Sequence, residues 1–228
     1  MTWASAGVGA VAVQSWPNLY AAKDALERLR RGAGAEEALA AVLADDPDRE
    51  LRQFGVVDAH GRAASHSGSD NTPWFGHTTG EGYAAQGNML LGPETVSEMA
   101  RVFAREPEAP LAERLLSALE AGQLAGGDRR GRQCSALYVV AVEEYPLWDL
   151  RVDEHPEPVA ELRRIYEIAR EQLLPFVEGL PTRANPRGSI TDEFIAMNLR
   201  PPPERPGGGG AGPRAPSALS DGKTPMLL

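Results

Sequence analysis

Over residues 1–180 the apolar positions switch between the spacing of strands and the spacing of helices. Residues 6–14 (Ala6-Gly7-Val8-Gly9-Ala10-Val11-Ala12-Val13-Gln14) read as a buried strand, with small residues where another layer packs close. Two helices follow, at 19–31 and 35–44. Leu26 and Leu29 share one face of the first; Ala38, Leu39, Val42 and Leu43 share one face of the second. Gly32 and Gly34 punctuate between them and Pro47 stops the second. Residues 51–58 and 62–66 form a hairpin pattern around a turn at Asp58-Ala59-His60-Gly61. A strand is predicted at 81–90. Helices are predicted at 93–105, with Pro93 at a starting position, and at 110–122, where Leu111, Leu115, Leu116 and Leu119 line one face. Strands at 134–142 and 148–153 and a helix from about Pro158 to Leu174 complete the pattern. Helix pairs separated by groups of strands predict helices covering strand layers. No dinucleotide-binding glycine fingerprint follows a strand.

Composition changes sharply once. Residues 181–228 hold nine prolines and seven glycines, and such a stretch buries too little apolar surface to offset its ordering entropy. The expected organisation is one domain over 1–180 and a disordered Pro/Gly-rich tail over 181–228. Pro201 is expected to stop any helix built on Ile190, Phe194, Ile195 and Met197.

Charge narrows the partners. The 228 residues carry a formal net charge of −9, which argues against nonspecific nucleic-acid binding and against an anionic membrane surface. No apolar run approaches a membrane span, and the N-terminus makes a poor signal peptide, so the expected location is the cytoplasm. Cys134 is the single cysteine, which excludes an internal disulfide and a cysteine-based metal site.

The polar chemistry gathers in a few stretches. Gly126-Gly127-Asp128-Arg129-Arg130-Gly131-Arg132-Gln133 places three glycines beside five charged or amide side chains. Glycine allows close backbone approach and arginine presents a planar fork to carboxylate or phosphate. A solvated connecting loop fits the same residues. Ser65-His66-Ser67-Gly68 closes the hairpin, Trp74-Phe75-Gly76-His77 and Gln86-Gly87-Asn88-Met89-Leu90 flank the next strand, and Asp149-Leu150-Arg151-Val152-Asp153 precedes the last helix.

Taken in order, the Ala6–Gln14 stretch and the Trp74, Gln86, Gly126 and Asp149 motifs resemble the successive motifs of one bacterial and archaeal group. It is the uncharacterised family catalogued as domain of unknown function 1028, similar to N-terminal-nucleophile (Ntn) hydrolases. The resemblance covers about residues 3–172. It implies an α+β fold, a four-layer αββα sandwich of the Ntn-hydrolase type. It also implies hydrolysis of an amide bond in a small or peptide-like substrate. In Ntn enzymes a terminal Thr, Ser or Cys attacks the carbonyl while its own α-amine serves as base. Trp3 matches a tryptophan that lies inside family members, so Thr2 falls at an interior position and the chain is expected to be N-terminally incomplete. The nucleophile is then not identifiable. Asn71 stands where members commonly have cysteine, and Cys134 where they have serine; Cys134 is expected to be a buried small hydrophobe.

The substrate-binding candidates are His66, His77, Gln86, Asn88, Asp128, Arg130 and Gln133. His66 and His77 lack a carboxylate or cysteine at ligand spacing, so no metal and no cofactor are expected. Gln86 and Asn88 alternate along a strand and share a side; they bind a substrate carbonyl or tie two sheets together. Asp128 and Arg130 form a structural pair or contact substrate. A noncatalytic ligand-binding or partner-binding member of the same scaffold is the alternative function. Self-association is compatible with either.

Overall fold

Alternating small and apolar residues near the N-terminus build an antiparallel sheet in the order β1 (Thr2–Ser5), β2 (Gly9–Ser15), β3 (Arg52–Asp58), β4 (Ala63–Ser67). The computed structural model describes residues 1–205 and divides the chain into two units, the first Met1–Arg163 and the second from Arg164 onward. On one face of this sheet Val11, Val13, Phe54 and Val56 are buried. They join Ala22, Ala25, Leu26 and Leu29 of α1 (Leu19–Arg30) and Ala38, Leu39 and Val42 of α2 (Ala35–Ala44) in one core. Each large side chain buried here contributes about 1.5–3 kcal/mol. Asn18 caps α1 by accepting from the Ala21 amide at 3.1 Å. Its amide nitrogen donates to the buried Asp46 at 2.9 Å. Asp46 also accepts from Arg52 at 3.0 Å, tying the first turn of α1 to the start of β3.

The other face is small and polar. Register sets Ala12, Gly55 and Ser65 side by side across β2, β3 and β4, and Gln14, Gln53 and Ser67 in the next row. A second antiparallel pair, β5 (Gly76–Gly80) and β6 (Tyr83–Gly87), lies against this face, β6 near β3 and β5 near β4. Gly55 is what permits the approach. A Cβ there would sit 2.1 Å from Oε1 of Gln86. Beyond the pair lies α3 (Glu94–Arg105), with Tyr83 and Phe103 rings 5.4 Å apart. Helix α4 (Leu111–Leu124) packs on α3, Gly122 meeting Met99. A third pair, β7 (Ser135–Val140) and β8 (Pro146–Val152), approaches α4 and β1. Helix α5 (Pro158–Gln172) begins in this unit, where Arg163 braces it against Glu120 at 2.8 Å and against Glu113.

In the second unit, α5 is followed by α6 (Leu174–Gly179) and α7 (Asp192–Asn198). Phe176 and Phe194 rings lie 5.9 Å apart. Thr191 caps α7 through the Phe194 amide, and the helix ends before Pro201, as expected. This local order within 181–205 was not predicted by proline and glycine content. The remainder of the 181–228 tail, residues 206–228, lies outside the described residues.

Three elements differ from the sequence pattern. The strand expected at 6–14 begins at Gly9, because residues 6–8 turn the chain back from β1 and Val8 N–H bonds the Ser5 carbonyl at 3.1 Å. The strand expected at 81–90 is the shorter β6, whose partner β5 is too polar to stand out as a strand. The helix expected to reach Leu174 stops at Gln172, and α6 starts two residues later. The fold is mixed α and β, with small antiparallel sheets and helices.

Candidate functional site

At one end of the inter-sheet seam, polar groups from four neighbouring strands converge on Gln53. Gln53 is fully buried, which obliges its amide to find partners. Its Oε1 accepts from Gln14 Nε2 at 2.7 Å. Its Nε2 donates to Ser67 Oγ at 2.8 Å and to the carbonyls of Gly76 and Gly87 at 3.1 and 3.0 Å. One side chain on β3 thereby staples β2, β4, β5 and β6. Gln14 Nε2 extends the network to Asn88 Oδ1 at 3.4 Å. Ser67 Oγ lies 2.9 Å from His77 Nδ1, and His77 is exposed at the mouth of the seam.

The network is only partly satisfied from within. Among the described residues, Ser65 Oγ and Gln86 Oε1 are buried without a hydrogen-bond partner, and half-buried Asn88 joins the network through its Oδ1. Partial desolvation of the ring where it meets the seam, with a smaller contribution from the charge of His66, holds the His77 imidazole below the usual histidine range. His77 is therefore neutral at pH 7, with a lone pair on one ring nitrogen. The residues directly after Gln14 and Asn88 both hold left-handed backbone, Ser15 at φ 70° and Met89 at φ 55°. Such conformations in non-glycine residues cost on the order of 1–3 kcal/mol and cluster at functional sites.

The expected site residues fall into two groups. His77, Gln86 and Asn88 belong to this seam. Gln86 Nε2 reaches the Ala12 carbonyl at 3.4 Å, so both amides extend toward β2. His66 sits on β4 opposite Phe54 and so faces the helices, where its Nε2–H donates to the Arg49 carbonyl at 2.9 Å. It borders a cleft of about 350 Å³ with Leu39 and Leu43, on the face away from His77. Asp128, Arg130 and Gln133 are held by their own neighbours. Asp128 and Arg130 pair at 2.6 Å, and Gln133 donates to Glu154 at 3.0 Å. Their loop instead supports the seam from outside. Leu90 bridges Asp128, Arg129 N–H bonds the Met89 carbonyl at 2.8 Å, and the Arg129 side chain donates to the Pro73 carbonyl at 3.1 Å.

Three members of the seam, Gln14, Gln53 and Ser67, were missed in the sequence. The available signal was a glutamine in each of two strands at the phase opposite the buried Val11, Val13, Phe54 and Val56. Asn71 is buried and structural, donating to the Arg52 and Gly68 carbonyls at 2.9 and 2.8 Å. Cys134, expected to be buried, is exposed. The strand begins one residue later, and Ser135 takes the inward position by donating to the Pro158 carbonyl at 2.7 Å. Thr2 is exposed on the edge strand β1, opposite Ala12, while the Met1 α-amine donates to the Val13 carbonyl at 2.8 Å.

A larger cleft, about 630 Å³, lies between α1 and α2. Its charges answer one another, Arg31 with Glu27 and Arg28 with Asp45, and it holds no buried polar atom lacking a partner. Among the described residues no group of three or more His, Cys, Asp or Glu could hold a metal ion. None of their helices is long and apolar enough to cross a membrane.

A family model described as a family of unknown function (DUF1028) matches residues 1–162. A crystal structure of a DUF1028 protein from Silicibacter pomeroyi is similar in fold and sequence. It has a TM-score of 0.73 and 28% identity, over 82% of this chain and 81% of that chain. No curated protein matches the chain.

Proposed function

The chain belongs to the family of unknown function DUF1028, and from that premise we propose that it hydrolyses an amide-type bond in a small or peptide-like substrate on an Ntn-hydrolase-like αββα sandwich. The packing supports this reading of the fold. In sequence across the first unit come α1 with α2, the four-stranded sheet, the β5–β6 pair, and α3 with α4. The observation that carries the function is the seam itself: a hydroxyl bonded to a neutral imidazole, beside a row of fixed amides with donor and acceptor atoms left over. Preorganised amide N–H groups stabilise charge that develops on a carbonyl oxygen. Asn88 Nδ2 is the donor assigned that task.

The test is release of amine or ammonia from a panel of amino-acid amides, N-acyl amino acids and dipeptides. Asn88→Ala is expected to lower kcat by about 10²–10³ with little change in KM. If no member of the panel is hydrolysed while one of them raises Tm saturably, the seam binds a ligand and does no chemistry on it.

A further inference from the structure

We infer that Ser67 and His77 form an internal nucleophile–base pair, so that acyl transfer runs through a side-chain hydroxyl inside the chain and needs no terminal residue. The inference rests on the hydrolase reading above. Two protein groups meet Ser67 Oγ. Gln53 Nε2 donates to it at 2.8 Å, and His77 Nδ1 lies 2.9 Å away, so in the tautomer protonated on Nε2 the ring accepts the hydroxyl proton. Gln53 is itself locked, fully buried and held by Gln14. The orienting group therefore acts on the nucleophile's oxygen from the core side. A partly exposed serine has water available and does not need two protein partners to satisfy it. The imidazole is held below the usual histidine range, and its tautomer protonated on Nε2 offers Nδ1 as the lone pair a general base requires. It lies at the exposed mouth of the seam, where a substrate can reach the pair.

The step balances with water as the only co-reactant. Ser67 Oγ forms a bond to the acyl carbon and gives its proton to His77 Nδ1, while the carbonyl π electrons move onto oxygen. As the C–N bond breaks, the Nδ1 proton passes to the departing amine nitrogen. Water then attacks the Ser67 ester, giving a proton to Nδ1. The ester C–O bond breaks, Oγ recovers that proton, and the carboxylic acid leaves.

The probe is p-nitrophenyl acetate, applied to the full chain. A burst of one p-nitrophenolate per chain is expected, with peptide mapping placing a single acetyl group on Ser67. Ser67→Ala should lose both burst and label. His77→Asn keeps an acceptor oxygen toward Ser67 but no base, and should slow the burst by about 10²-fold or more. It should also remove the rise of burst rate with pH that titration of His77 imposes. The charge bearing on His77 is that of His66, on the neighbouring strand. Acetyl on Thr2, Met1, a lysine or Cys134, or no acetylation at all, overturns the inference, and the unmodified chain gives this answer without any variant. Acetylated Ser67 with no amide turned over keeps the inference and overturns amide hydrolysis. Amide turnover undiminished in Ser67→Ala does the reverse.

Discussion

Gln53→Met tests whether one buried amide holds the two sheets in register. Methionine keeps the unbranched shape and nearly the volume of glutamine, so the change deletes hydrogen bonds and leaves packing almost intact. Four bonds disappear, to Gln14, Ser67, Gly76 and Gly87. The Gly87 carbonyl is buried, and leaving it without a donor costs about 1–3 kcal/mol. The other three groups reach water in part, so each costs nearer the net value of one hydrogen bond, about 0.5–1.5 kcal/mol. Better burial of the thioether returns about 1 kcal/mol. The expected loss is about 4 kcal/mol, or a fall in Tm of about 8–16 °C for a chain of this size. Urea unfolding at unchanged m-value measures it. A double-mutant cycle with Gln14→Ala should show coupling, since the pair meets at 2.7 Å. A Gln53→Met chain within about 0.5 kcal/mol of the unaltered one refutes the reasoning.

Gly55→Ala should lower stability by about 1–3 kcal/mol, because the new methyl displaces the Gln86 amide; amide hydrogen exchange of β6 should rise with it, and a neutral result means the sheets can part without cost. Asp46→Ala removes the nearest carboxylate from the mostly buried Arg52, leaving it Asp48 at 3.6 Å and the Trp16 carbonyl, and should cost about 2–3 kcal/mol by urea unfolding. The folded pKa of His77 lies below its unfolded value, so the unfolded chain binds more protons between the two. Stability should therefore fall as pH drops from about 6.5 through the folded pKa and level off below it. His77→Asn should flatten that part of the profile, read as Tm against pH. Thr2→Ala should leave burst kinetics with p-nitrophenyl acetate unchanged, because Thr2 is exposed on β1 and no hydrogen bond joins it to the seam.

The helices were legible because their evidence is local. Leu26 and Leu29, or Ala38, Leu39 and Val42, lie within a turn or two of each other, and the burial of each set follows from its spacing. β3 and β4 were legible for the same reason, with apolar positions of period two in β3 and a four-residue turn leading to a short return. β1 and β5 were not. Thr2–Ser5 is too short, and Gly76–Gly80 carries no apolar alternation; both are strands because a neighbour accepts and donates their backbone bonds. The site divides along the same line. His77, Gln86 and Asn88 stood out as polar residues among glycines, and the sequence by itself determined that Gln86 and Asn88 share one side of a strand. It also marked Asp128 and Arg130, whose mutual pairing was one of two readings. Gln14, Gln53 and Ser67 lie in three different strands, up to 53 positions apart. Only the register of β2 on β3 on β4 sets them in one row, and only the stacking of β5 and β6 brings His77 to Ser67. Strand alternation assigns each residue a face, but which residue lies opposite is a nonlocal choice, made when the sheets pair and pack.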